Sequence, residues 1–271
     1  PFLEASMLYD GCLEKGRAVF DGGCYYYGGT LENYGNVNSA NSLAAIKKAV
    51  FEDRSVSAEE LVAAMNDNFY GHERTRKTLM DCPKYGNDDA EVDTFAREVA
   101  YVYTKEIEKY RNPRGGRFQA GLYPVSANVP LGAQTGATPD GRLAYTPIAD
   151  GVSPAAGRDT KGPTASCNSV SALDHLIASN GTLFNMKFHP TALAGRNGLE
   201  NFVSLVQGFF DRKGMHMQFN VVSRETLRDA QKHPEKYKSL VVRVAGYSAL
   251  FTTLSKSLQE DIINRTEQGG F

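Results

Sequence analysis

A glycine is the residue of this chain with the most unusual chemistry open to it. Gly246 lies in the run Val241-Val242-Arg243-Val244-Ala245-Gly246-Tyr247-Ser248-Ala249, after a short β-rich stretch over 240–244 and before a helical pattern that closes the chain. Glycine alone among residues has a CH₂ at Cα, and losing one hydrogen leaves a radical shared by the two flanking amides. The plainer reading of the same residue is a tight turn that needs φ > 0. A second chemical spelling is Gly11-Cys12-Leu13-Glu14, a thiol two residues before a carboxylate. Metal chemistry has little support: the five histidines (72, 175, 189, 216 and 233) form no HExxH or HxH pair, and Cys12, Cys24, Cys82 and Cys167 form no CxxC.

The elements that must position these residues follow from periodicity and capping. Residues 1–20 carry Phe2, Leu3, Leu8, Leu13, Val19 and Phe20 at helical spacing, so an amphipathic helix ending at Gly22-Gly23 is expected. Residues 24–38, rich in Gly, Tyr and Asn, read as an ordered loop. A helix follows over 41–51. Ser57 with Glu60 forms a capping box that opens a helix to about residue 68. Residues 72–80 give a short helix and 90–110 a long one with Val92, Phe95, Val99, Tyr103 and Ile107 on one face. After the turn cluster at 112–116 the character changes. Residues 117–130 alternate as a strand, placing Gln119, Gly121, Tyr123 and Val125 on one face and Phe118, Leu122 and Pro124 on the other. Helices over 168–178, 198–210, 223–232 and 254–265 then alternate with strands over 183–188, 215–222 and 240–244, the spacing of βα units in an α/β fold.

The bulk numbers exclude several classes. The chain has 271 residues, 41% of them hydrophobic, with 30 basic and 31 acidic side chains. That balance offers no basic stripe for nucleic acid. No run of 18 apolar residues argues for a membrane span. Four scattered cysteines favour a reducing, cytoplasmic setting over a disulfide framework. The start, Pro1-Phe2-Leu3-Glu4, lacks the features of a signal peptide and reads as the middle of a longer protein.

Taken together, the motifs resemble the C-terminal part of a glycyl radical enzyme of the pyruvate formate-lyase-like family, in the dehydratase-type branch that includes glycerol and propanediol dehydratases and isethionate sulfite-lyase. Arg243-Val244-Ala245-Gly246-Tyr247-Ser248 carries the resemblance with the trailing Gln259-Glu260-Asp261-Ile262-Ile263-Asn264-Arg265-Thr266-Glu267. Tyr85-Gly86-Asn87-Asp88-Asp89, Asn112-Pro113-Arg114-Gly115-Gly116, Ser126-Ala127-Asn128-Val129-Pro130-Leu131-Gly132, Gly136-Ala137-Thr138-Pro139-Asp140-Gly141-Arg142, Ala178-Ser179-Asn180-Gly181-Thr182 and His216-Met217-Gln218-Phe219-Asn220-Val221-Val222 support it. The resemblance implies a ten-stranded α/β barrel of two antiparallel half-barrels wrapped by helices, with the glycine loop inserted. Residues 1–110 are then the mainly helical part and 111–271 the half-barrel with the glycine radical domain.

It further implies that Gly246 stores a radical installed by a separate radical S-adenosylmethionine activase with an iron–sulfur cluster. No bound cofactor or metal is implied. The radical passes to a cysteine, whose thiyl takes hydrogen from a small substrate, while a glutamate two residues after the cysteine acts as base or acid. Cys12 and Glu14 match that spelling but stand 234 residues before Gly246 (246 − 12) on an expected helix, so they are read as a decoy. The cysteine and glutamate are expected upstream of Pro1, on the N-terminal remainder of the same polypeptide, without which the chain is inactive. The resemblance places Tyr123 and, four residues earlier, Gln119 at the substrate. Sulfonate-cleaving relatives carry arginine there, and a neutral glutamine suits a 1,2-diol better. The expectation is a lyase of anaerobic metabolism that eliminates across a C–O bond, acting as a cytoplasmic homodimer; a bacterial microcompartment is the alternative location. Isethionate, choline and hydroxyproline cleavage are the alternative chemistries. A spare-part radical domain with no turnover of its own, or a non-enzymatic binding domain, are the readings from other classes.

Overall fold

A computed structural model describes residues 2–271. The chain enters through two single helical turns, Leu3–Ser6 and Cys12–Lys15, and a 3₁₀ turn, Val19–Asp21. The amphipathic helix expected over 1–20 does not form across these residues. Gly11 sits at φ +88° and Gly16 at +58°, left-handed conformations that stop a right-handed helix on either side of Cys12. The apolar set of that expected helix is largely exposed, Leu8 at 87% and Leu13 at 73%.

Strand β1 (Gly29–Glu32) lies inside the stretch expected to be a loop. Helix α1 (Asn36–Ala45) starts five residues before its expected position and runs into a wide π turn, Ile46–Glu52. Helix α2 (Ala58–Asn66) is capped as its sequence requires: the Ser57 hydroxyl accepts from the Glu60 amide at 3.1 Å. Helices α3 (Glu73–Asp81) and α4 (Ala90–Ile107) follow. The buried face of α4 runs through Val92, Ala96, Ala100, Thr104 and Ile107, with Phe95 and Tyr103 flanking it. The rotation has a packing reason. Ala96 and Ala100 are small enough to let Ala40 and Ala44 of α1 approach closely in one buried cluster, with Phe95 and Tyr103 packed at its edge.

Strand β2 (Phe118–Gly121) pairs in parallel with β1, matching Thr30 to Gln119 and Glu32 to Gly121. A short helix, Asn128–Gly132, and a long irregular stretch lead to α5 (Gly162–Ser171). That helix begins six residues earlier than its sequence pattern suggests, with Pro163 in its first turn, where a missing N–H breaks no helical bond. Then come β3 (Asn185–Phe188), α6 (Gly195–Asp211), β4 (Gln218–Val221), α7 (Arg224–Lys232), the hairpin β5 (Val241–Arg243) and β6 (Ser248–Leu250), α8 (Lys256–Asn264) and β7 (Glu267–Gln268). Among the described residues β3 is central, parallel to both β4 and β7, while β5 and β6 pair only with each other.

Three apolar clusters hold these pieces. The largest joins α1, α4 and α6 with β3 through residues such as Val37, Val92, Phe184, Phe188 and Phe209. A second gathers Leu61, Phe69 and Leu79 around α2 and α3. The third, with Leu227, Val242, Val244, Phe251, Ile262 and Ile263, gives the β5–β6 hairpin its own core against α7 and α8.

Candidate functional site

The hairpin turn is built by its sequence. Val242 and Val244 point into the third cluster and pin the incoming strand. The Val244 amide donates to the Tyr247 carbonyl at 2.8 Å, closing a two-residue loop of Ala245 and Gly246. Gly246 has φ +77°, the value that the third residue of a type II turn requires. Space is not the constraint. A Cβ built on Gly246 meets nothing nearer than Leu183 Cδ1 at 3.8 Å. Ala245 is buried and Gly246 exposed, so the turn presents its α-carbon outward.

Polar side chains tie this turn to the sheet. Gln218 Oε1 accepts from the Gly246 amide at 3.2 Å and from Arg243 Nε at 2.8 Å. Gln218 Nε2 donates to Asn185 Oδ1, and Asn185 Nδ2 to Asp150 Oδ2. Arg265 lies 3.4 Å from Asp150 and 3.1 Å from Asp261, and donates to the Val244 carbonyl at 2.8 Å. Burial works against the Arg265 charge, but Asp150 and Asp261 outweigh it and hold the guanidinium above its ordinary value. Burial also raises the Asp150 carboxyl, with Arg265 opposing the rise. Beside Arg243, burial and that cation hold His216 below its ordinary value, and its Nδ1 accepts from the Phe184 amide at 3.3 Å.

The second group of candidate residues sits on the β1–β2 pair. Thr30 and Glu32 share a face with Gln119, Gly121 and Tyr123, as alternation requires. Asn180 knits them together, its amide donating to Thr30 Oγ1 at 2.6 Å and to the Tyr123 hydroxyl at 2.9 Å. Tyr34 donates to Glu32, and burial with Glu32 nearby pushes its hydroxyl up to about 12. Tyr123 is raised for the same two reasons. Gln119 is exposed on this face and Tyr123 half-buried. The two groups meet through one segment. Leu122 and Leu183 are bonded backbone to backbone, Leu183 N to Leu122 O at 3.2 Å, and the Leu183 side chain faces Gly246.

Cys12 is buried, and a Cβ at Gly23 would lie 2.7 Å from its sulfur. Glu14 is engaged by the Tyr25 hydroxyl. All four cysteines are free. Among the described residues one set of possible metal ligands occurs, His189, Glu225 and Glu267, with ligand atoms within 4.8 Å of one another. Glu267 is already committed to the Arg224 amide at 2.6 Å and lies 3.9 Å from Lys187 Nζ.

Asn180, Gln218 and Arg265 stand inside sequence motifs yet were not singled out by their chemistry, because an amide or a guanidinium takes its role only from what faces it. Asp150 and Asn185 lie outside every motif, and nothing in the sequence marks them.

Family models and solved structures match this chain over most of its length. The family model described as pyruvate formate lyase-like matches residues 1–132, and the one described as glycine radical matches residues 148–252. The chain belongs to the pyruvate formate-lyase-like glycyl radical enzymes. It is similar to a solved structure concerned with 1,2-propanediol dehydration in Roseburia inulinivorans, with 61% identity and a TM-score of 0.91 over 97% of this chain and 34% of that one. It is likewise similar to the glycerol-bound, B12-independent glycerol dehydratase from Clostridium butyricum, with 55% identity and a TM-score of 0.93 over the same shares. A probable dehydratase, YbiW, of Escherichia coli (strain K12) is 47% identical over 272 residues, 97% of this chain and 34% of that protein. The chain thus spans about a third of the length of the relatives it matches.

Proposed function

We propose that this chain is the C-terminal, radical-bearing part of a glycyl radical dehydratase acting on a 1,2-diol. The observation that carries the reading is Gly246 itself. It is an exposed glycine in a turn with room for a methyl group, inside the stretch matched by the glycine radical model. A φ of +77° would favour glycine in any such turn; what points beyond a turn to radical storage is that the glycine radical model matches this same stretch. The high identity to the propanediol and glycerol dehydratase structures supports the diol.

In this reading a radical S-adenosylmethionine activase removes one hydrogen atom from Gly246 Cα. The glycine radical takes a hydrogen atom from a cysteine thiol, and the thiyl takes one from the substrate carbon that bears a hydroxyl. Loss of that hydroxyl's proton and departure of the neighbouring hydroxyl, protonated as water, leave a carbonyl-conjugated radical. The thiol returns its hydrogen atom to give an aldehyde and water. The barrel, ten strands in the whole protein, keeps water from the radicals. The homodimer is part of the same proposal.

Tyr123 and Gln119 would face the substrate from β2, a hydroxyl and a neutral amide that suit hydroxyl groups and lack the cation a sulfonate needs. The thiol and its partner glutamate belong to another part of the polypeptide. Cys12 is buried against Gly23, and Glu14 is bonded to Tyr25, so neither is poised for a substrate.

The test is an anaerobic screen of the full polypeptide after activation, offering 1,2-diols, isethionate, choline and hydroxyproline. Aldehyde from a diol is the expected product. Sulfite or trimethylamine, with diols left intact, would contradict the diol assignment and leave Gln119 without its proposed role.

A further inference from the structure

Residues Gln218 and Asn220 project from β4 toward the β5–β6 hairpin, whose turn carries Gly246, yet β4 and β5 share no backbone ladder among the described residues. Side-chain amides take the place of that ladder. The Arg243 amide donates to Asn220 Oδ1 at 2.8 Å, and Asn220 Nδ2 donates back to the Arg243 carbonyl at 2.7 Å, as two paired peptide units would. Two residues along the same face of β4, Gln218 reaches Gly246 itself.

We infer that Gln218 is a positioning residue for radical storage: its side-chain oxygen holds the Gly246 amide N–H, and a closed polar ring through Asn185, Asp150 and Arg265 fixes that oxygen in place. The inference rests on Gly246 being the radical residue. The ring sets the direction of every amide in it. Gly246 N–H and Arg243 Nε–H can only donate, so Gln218 must turn its oxygen toward them. Its NH₂ then meets the Asn185 oxygen, and the Asn185 NH₂ meets the Asp150 carboxylate, which can only accept when ionised. Arg265 closes the ring as an ion pair with Asp150 at 3.4 Å on one side and as a donor to the Val244 carbonyl, two residues before Gly246, on the other. Donors at one end and a carboxylate at the other demand the same orientation, so neither amide can flip without leaving buried groups unpaired.

The chemistry of the radical gives this contact a purpose beyond packing. An unpaired electron at Gly246 Cα is shared with the amide nitrogen on one side and the carbonyl on the other. An acceptor on the N–H raises the electron density of that nitrogen and strengthens its half of the sharing. Gln218 is buried and neutral, so it supplies the acceptor without adding a charge beside the radical.

The test uses the full polypeptide, activated anaerobically, as wild type, Gln218→Leu and Gln218→Glu. Electron-nuclear double resonance in H₂O and D₂O reads the coupling of the exchangeable amide proton, and the decay of the radical is followed alongside. The expected result is an altered coupling and a radical lost about fivefold faster in Gln218→Leu, the worth of one hydrogen bond. Gln218→Glu keeps an acceptor toward the Gly246 amide but loses the donor to Asn185 Oδ1, so its radical decays faster than wild type and slower than Gln218→Leu, with a coupling shifted by the added charge. A Gln218→Leu radical with wild-type coupling and lifetime overturns the inference. If that variant does not fold, Gln218→Glu decides alone, and an unshifted coupling overturns it. A wild-type enzyme that takes up no radical with a competent activase defeats the reading of Gly246 instead, and the inference falls with it.

Discussion

Alanine at position 246 would meet open space and a strained backbone. The positive φ costs an L-residue about 1–2 kcal/mol, while the nearest atom stays in ordinary contact at 3.8 Å. Gly246→Ala is therefore expected to fold, with unfolding free energy lowered by about that amount and no radical after activation. Denaturant unfolding and spin counting on the same sample check both halves. Arg265 behaves oppositely. Removing it strands Asp150 and Asp261 in a buried site and frees the Val244 carbonyl. Arg265→Ala should cost about 3–5 kcal/mol, read as loss of hydrogen-exchange protection across the hairpin. Gly246 stood out in the sequence because glycine in Val-Ala-Gly-Tyr stands among motifs that together are specific. Its supports were less so: Gln218 lies in a motif that reads only as strand, and Asp150 and Asn185 become partners through contacts that no spacing encodes.

The elements carry a different lesson. Local rules worked where one residue decides an end. Ser57 and Ser223 both cap as their sequences require, Ser223 accepting from the Thr226 amide at 3.1 Å. Ser223→Ala should lower stability by about 1 kcal/mol, measured by denaturant unfolding, and it should loosen α7, which backs the glycine hairpin. The rules failed at 1–20, where helical spacing of apolar residues suggested a face and two left-handed glycines broke the helix. They also failed to see β1, whose four residues become a strand only by pairing with β2, some ninety residues later. The C-terminal strand β7 has a measurable signature. Asp159 accepts from Ser166, Thr266 and Gln268, and burial pushes its carboxyl up to about 6. A folded-state value raised above the unfolded one favours the protonated form. Its stabilisation is complete below about pH 4 and is lost as pH rises through 6. The rise from 3.8 to about 6 is worth at most about 3 kcal/mol. Unfolding free energies from pH 4 to 7 should therefore fall less steeply in Asp159→Asn than in wild type.

Across the whole molecule, order in the sequence proved more readable than closure in space. Strand and helix alternate after residue 117 largely as the pattern suggests, and the α/β class follows from that. The two small parallel sheets and the separate core of the glycine hairpin depend on which elements meet, information that lies in long-range packing. Both halves of the candidate site nonetheless converge on one segment, Ala178–Leu183, through Asn180 on the tyrosine side and Leu183 on the glycine side. The central claim is that this arrangement exists to hold an unpaired electron on Gly246. Electron paramagnetic resonance of the full polypeptide, activated anaerobically, tests it most directly. The account predicts a doublet that arises from the one hydrogen left on Gly246 Cα, collapses when the protein is made with α-deuterated glycine, and is absent in Gly246→Ala. A signal that survives Gly246→Ala, or no signal in wild type with a competent activase, would contradict it.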